Sequence, residues 1–202
     1  MMNQSKNRNV IYVLLGAALL LNGCTQKVSY GDSQAVETTT VEFGSTDLQK
    51  IAVEMTDSML SSKSVAMITK DKRPIVLVES IKNKTAEHID TESITDSIST
   101  RLLNSGEFRF VDMTRVEVVR EQLNFQNNDL LVNPETAIQF GKMVGAQYML
   151  YGNLSSINKQ NGGTQDVYYK MTMRLMDLET GLIEWADEAE IRKHQSKSLI
   201  GW

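Results

Sequence analysis

Val167-Tyr168-Tyr169-Lys170-Met171-Thr172-Met173-Arg174-Leu175 decides the fold. Val167, Tyr169, Met171, Met173 and Leu175 alternate with Tyr168, Lys170, Thr172 and Arg174. A period of two marks a strand with one face buried and the other wet. Upstream, Asn161-Gly162-Gly163 is a turn signal, and residues 148–154 before it read as a further strand. Downstream, Glu179-Thr180-Gly181 makes a tight turn into residues 182–191, where Ile183, Trp185, Ala189 and Ile191 share a face. Two hairpins in series predict an antiparallel meander. Residues 192–202 read as a loose tail.

Working outward, the pattern turns helical. Thr46-x-x-Gln49 reads as a capping box, and Leu48, Ile51, Ala52, Met55 and Met59 fall on one face. Ser61-Ser62-Lys63-Ser64 closes that helix. Pro74 introduces Ile75-Val76-Leu77-Val78, an uninterrupted apolar run that suits a central strand covered on both faces. Glu79 to Thr85 then reads as a polar turn. A second helix starts at Asp90 or Thr91, with Ile89 and Ile94 placed as a hydrophobic staple and Ile98 and Leu102 continuing the stripe. Gly106 supplies a left-handed stop, and residues 108–111 read as a short strand. Thr114-x-x-Glu117 predicts a third helix, with Met113 and Val118 as its staple and Val116, Val119 and Leu123 as its buried face. Asn133-Pro134 opens a fourth, in which Ala137, Phe140, Gly141 and Val144 share a face before Gly145 ends it. The expected fold is a single α/β domain. Its mixed sheet has four or five strands, ends in the meander and is flanked by about four helices.

The N-terminus carries a different signal. Lys6 and Arg8 precede an uncharged apolar run from Val10 to Leu21, too short for a comfortable membrane span of about 20 residues. The run ends in Leu21-Asn22-Gly23-Cys24, which resembles the bacterial lipobox, although Asn22 stands where most such sequences carry Ala, Ser or Thr. That resemblance implies cleavage before Cys24 and diacylation of its thiol. Residues 1–23 are then a signal peptide, residues 24–44 a lipidated polar tether and residues 45–202 a periplasmic domain. Thr25, in place of an aspartate, points to the outer membrane.

Composition excludes several function classes. Removing Lys6 and Arg8 from 21 basic residues against 25 acidic ones leaves a net charge near −6, which argues against nucleic acid. With its one cysteine carrying lipid, the chain has no thiol for a disulfide, metal site or nucleophile. His88 and His194 stand far apart, neither with a second ligand at metal spacing. Asp177, Glu179, Glu184, Asp187, Glu188 and Glu190 read as a solvated face rather than as acid–base pairs. The methionines read as core filling. No enzyme, cofactor or metal site is expected.

Three segments carry a further resemblance: Leu102-x-x-Ser105-Gly106-x-Phe108, Gly145-Ala146-x-Tyr148-x-Leu150-x-Gly152 and Met173-x-Leu175-x-Asp177-x-x-Thr180-Gly181-x-Ile183-x-Trp185. They resemble the LpoB family of lipoprotein activators of class A penicillin-binding proteins, and more distantly CsgG and the N-terminal domain of TolB. The resemblance implies a binding module that docks on an accessory domain of a bifunctional peptidoglycan synthase and favours its active state. The alternative it implies is an envelope assembly lipoprotein like the CsgG group. Many family members have a long proline-rich tether; this chain has about 20 residues and two prolines in all. A monomer is expected. Residues 125–135 form the longest connection inside the domain, and such loops often carry function. Asn127, Asn128, Asp129 and Asn133 in this loop are the candidate partner-binding residues.

Overall fold

The computed structural model describes residues 29–33, 35–37, 39–112, 116, 118, 121 and 134–196. The chain divides into a unit spanning Met1–Ala35 and a second spanning Val36–Trp202, and every described helix and strand lies in the second.

The meander is as expected but longer. β4 (Tyr148–Asn161), β5 (Thr164–Asp177) and β6 (Ile183–Ser196) pair antiparallel in that order. Gly162, at φ +59°, turns the first hairpin in a conformation that side chains other than glycine rarely adopt. On the other side of β4 lie β1 (Ile75–Val78) and β2 (Lys82–Lys84), both parallel to it, and β3 (Arg109–Phe110) pairs parallel with β1. The sheet therefore has six strands, not four or five. The additional one is β2, inside the stretch expected to be a polar turn. Its Lys-Asn-Lys sequence lacks an apolar period, and it is held by register with Asn153 to Ser155.

Four helices have full bounds: α1 (Ser45–Ser61), α2 (Lys63–Thr69), α3 (Thr91–Asn104) and α4 (Pro134–Val144). Ile51, Ala52, Met55 and Met59 of α1 and Ile94, Ile98 and Leu102 of α3 cover one sheet face. The face they cover includes Val76, Leu150, Leu154 and the odd-numbered residues of β5 from Val167 to Leu175. The other face of β1 and β4 is covered by α4. Leu77 and Met149 pack there with Phe140, Val144, Leu178 and Val116. β1 is thus buried on both sides, as its uninterrupted apolar run requires. Gly141 lets α4 approach: a Cβ there would sit 2.9 Å from the Leu178 side chain.

Several expectations need correction. α1 is capped two residues earlier than Thr46-x-x-Gln49 suggests: Asp47 reaches back to the Gly44 amide at 2.9 Å, while Thr46 Oγ1 instead accepts from the Glu37 amide. Ser62 ends α1, but the chain re-enters a helix at once, with Val65 of α2 buried. Ile183 is exposed although its parity matches that of Trp185 and Ala189. A register shift between Leu175 and Met176 places Ile183 opposite Met176, while Trp185 stays opposite Leu175. Residues 192–196 are not a loose tail, because β6 pairs with β5 as far as Ser196. Val118, expected as a staple, is 50% exposed, and the rest of the third-helix box and staple lies outside the described residues.

Candidate docking site and tether mount

The stretch before α1 is docked on the domain. Its compact unit begins at Val36, so residues 36–44 belong to it instead of to a tether. Val41 and Phe43 pack on the core, with the Phe43 ring edge-on to Tyr169 at 5.4 Å between centroids. The Tyr169 hydroxyl lies 3.0 Å from the Val41 carbonyl and within reach of Glu87 Oε1, so two acceptors share its one proton. Glu87 Oε2 in turn accepts from the Phe43 amide at 3.0 Å. Lys193 donates to the Glu42 carbonyl at 2.6 Å and pairs with Asp47, the carboxylate that caps α1. Glu37 accepts from the Ser45 hydroxyl at 2.8 Å and the Thr46 amide at 3.2 Å. We refer to residues 36–44 as the strap.

Its electrostatics follow from these contacts. Burial and the Glu87 carboxylate push the Tyr169 phenol well above its ordinary value. The Ser45 hydroxyl and Thr46 amide hold the Glu37 carboxyl below the ordinary carboxylate value.

At the other end of the meander, the turn from Asp177 to Ile183 is built differently. Asp177 Oδ1 accepts from the amides of Glu179 (2.8 Å) and Thr180 (2.9 Å). Its backbone closes the turn, with its amide donating to the Leu182 carbonyl and its carbonyl accepting from Gly181, both at 2.9 Å. Leu178 is buried beneath the turn, whereas Leu182 (62%) and Ile183 (45%) face solvent. Beside it runs a groove of about 390 Å³, lined by Lys72, Lys142, Tyr148 and Glu179 among others. Burial, Asp177 and Glu184 raise the Tyr148 phenol.

The remaining surface of the meander is polar apart from Ile157. On the face away from α1 and α3, Lys170 pairs with Glu188, Arg192 stacks 5.8 Å from the Tyr168 ring, and His194 bonds Asp166 at 2.9 Å. Most of these charges pair across neighbouring strands, as a solvated sheet face does. His88 is exposed. Among the described residues no group of three His, Cys, Asp or Glu could hold a metal ion, and no helix is long and apolar enough to cross a membrane.

Cys24 lies outside the described residues, as do Asn127, Asn128, Asp129 and Asn133. The docking of the strap and the exposure of the distal turn's aliphatics are not anticipated by the sequence reading. The strap's signal is Val41-Glu42-Phe43, which alternates ahead of a capped helix. The turn's signal is the adjacent pair Leu182-Ile183, which a regular half-buried strand cannot hide together.

Residues 47–191 match the family model described as "Peptidoglycan-synthase activator LpoB". The penicillin-binding protein activator LpoB of Dickeya dadantii is 29% identical over 59% of this chain and 57% of its own length. That of Cronobacter turicensis is 30% identical over 60% of this chain and 51% of its own. The chain spans about half the length of the curated relatives it matches. Among solved structures, the LpoB C-terminal domain from Escherichia coli superposes with a TM-score of 0.55 at 26% identity, covering 72% of this chain and 98% of that domain. The match spans more than half of the sequence and runs from the first turn of α1 into β6. The chain belongs to the LpoB family.

Proposed function

We propose that this chain is a lipid-anchored envelope protein that binds a class A penicillin-binding protein and activates peptidoglycan synthesis. The observation that supports this most is the family match over residues 47–191. It favours activation over the secretion-associated alternative. Activation needs no chemistry from the activator. It requires tighter binding to the synthase's active conformation than to its idle one, and the difference in affinity sets the size of the effect.

In this reading Cys24 carries the lipid, Thr25 directs the protein to the outer membrane, and the domain works in the periplasm as a monomer. On this reading the tether is residues 24–35, a length of chain that spans at most about 40 Å. A meander with strands of 14 residues adds about 45 Å. The folded domain therefore supplies as much of the span as the tether does.

The test is glycan polymerisation by the class A synthase of the same organism, with and without residues 24–202 carrying Cys24→Ser. A saturable increase in rate is expected, and no increase together with no binding removes the proposal. Loop 125–135 remains a candidate contact. Alanine at Asn127, Asn128, Asp129 and Asn133 should weaken docking without moving the melting temperature, and unchanged affinity would retire the loop.

A further inference from the structure

The two ends of the meander differ in a way that assigns them different partners. The chain joins the domain at Val36, which lines one cavity with Ile191 to Gln195 near the C-terminal end of β6. Ile183 opens the same strand at the opposite end, about nine residues from Arg192, or about 30 Å at 3.3 Å per residue. Whatever pulls on the strap from the anchored side, the turn from Asp177 to Ile183 is carried on the far side.

We propose that this turn is a docking knob, with Leu182 and Ile183 as apolar anchors that enter a pocket on the periplasmic part of the synthase. The inference rests on the activator reading.

Three features carry it. Leu182 and Ile183 are adjacent and both exposed, and the register shift at Leu175 and Met176 is what turns Ile183 out of the core face. A bulge of this kind re-aims a side chain while leaving the strand paired. The turn is also fixed before it meets anything. The Asp177 carboxylate holds two amides, its backbone closes the loop, and Leu178 is buried below. Such preorganisation lowers the entropy lost on binding. Finally, Lys72, Lys142 and Glu179 stand in the adjoining groove, giving an apolar centre a charged border, the usual anatomy of a protein-binding patch. Ile157 is also exposed, but it stands near the first hairpin with Tyr168 opposite and Lys159 two residues on. An isolated aliphatic of this kind is ordinary surface.

The experiment compares residues 24–202 (Cys24→Ser background) with the same chain carrying Leu182→Asp and Ile183→Asp, and with a control carrying Ile157→Asp. Binding to the detergent-solubilised synthase and stimulation of glycan polymerisation are both read. Melting temperature confirms folding, and sedimentation velocity reports self-association. The knob predicts at least a tenfold loss of affinity in the double variant, by the usual effect of removing central anchors, and less than about twofold in the control. Leu182→Met with Ile183→Val should restore binding. Wild-type stimulation with a double variant that binds within about twofold overturns the knob and leaves the activator reading standing. A wild-type chain that neither binds nor stimulates removes the activator reading, and the knob with it. A wild-type dimer that the double variant abolishes, with synthase binding unchanged, assigns the turn to a second copy of this chain and overturns the proposal.

Discussion

The two ends of the meander solve opposite problems. At the strap end, charged and polar side chains go inside: Asp47 is 4% exposed, and Lys193, Glu87 and Tyr169 are tied to strap backbone. At the distal turn, aliphatic side chains go outside while a carboxylate at the turn's base holds it in shape. Polar contacts at the strap end give direction, since the Val41 and Glu42 carbonyls and the Phe43 and Gly44 amides each bond a named side chain. At the distal end Asp177 fixes the turn, and the aliphatics exposed on it would gain from burial against a partner. A mount needs the first property and a docking knob needs the second.

The largest effect should come from Asp47→Ala. It strips the partner from Lys193, whose side chain is only 12% exposed, and takes away the α1 cap in the same step. Leaving one charge of a buried pair costs about 3 kcal/mol, which lowers the melting temperature of a domain this size by about 10 °C. Adding Lys193→Met should recover most of that loss, because an apolar pair of similar volume is tolerated where a lone charge is not. If Asp47→Ala melts with wild type in a thermal scan, the strap end is no more than a solvated surface and the contrast between the ends disappears.

Tyr169→Phe should have the next largest effect. The ring stays against Phe43, but the hydroxyl no longer serves the Val41 carbonyl and Glu87, a loss of about 1–2 kcal/mol. The same residue gives the strap a pH dependence. Its phenol is raised above the ordinary 10.0, so the folded state holds the proton after the unfolded chain has released it. The stabilisation is complete below pH 10 and falls as pH rises beyond that, because the unfolded state gains by ionising. Denaturant melts between pH 9 and 11 should show wild-type stability falling faster than that of Tyr169→Phe. Parallel slopes would mean that Tyr169 is not sequestered.

The sequence made the meander legible because alternation in β5 is unbroken and both turns carry glycine. The doubly buried β1 was equally clear from four consecutive branched or long aliphatics. What failed did so for physical reasons. β2 has no apolar period, being an edge segment fixed by its neighbour's backbone rather than by its own side chains. Ile183 looked buried because parity assumes an unbroken register, and one bulge reverses it. The strap looked like a tether because Ser, Thr and acids dominate it. Two apolar residues and a network of partners more than forty residues away in sequence decide its state, and composition carries no record of such partners. Of the candidate site residues, only a side chain's chemistry could be read in advance. The lipidation of Cys24 is an expectation that rests on a local motif, whereas a docking face is a property of the folded surface.

The smallest effect separates the strap's first residues from its core contacts. Glu37 is exposed, and its hydrogen bonds with Ser45 and Thr46 lie at the strap's outer edge. Its carboxyl is held below the ordinary 4.5, chiefly by the Ser45 hydroxyl and then by the Thr46 amide. A lowered carboxylate contributes above its unfolded value and loses that contribution as pH falls through its folded value. The Thr46 amide proton should therefore shift in an NMR titration below pH 4.5, with its midpoint under that of a free glutamate. Glu37→Gln should abolish the titration while leaving the melting temperature unchanged, because Val41, Phe43 and Lys193 still hold the strap. A melting temperature that falls with Glu37→Gln as far as with Tyr169→Phe would show that the strap is held cooperatively from its first residue. The mount would then be one latch, and force on the tether would release all of it or none.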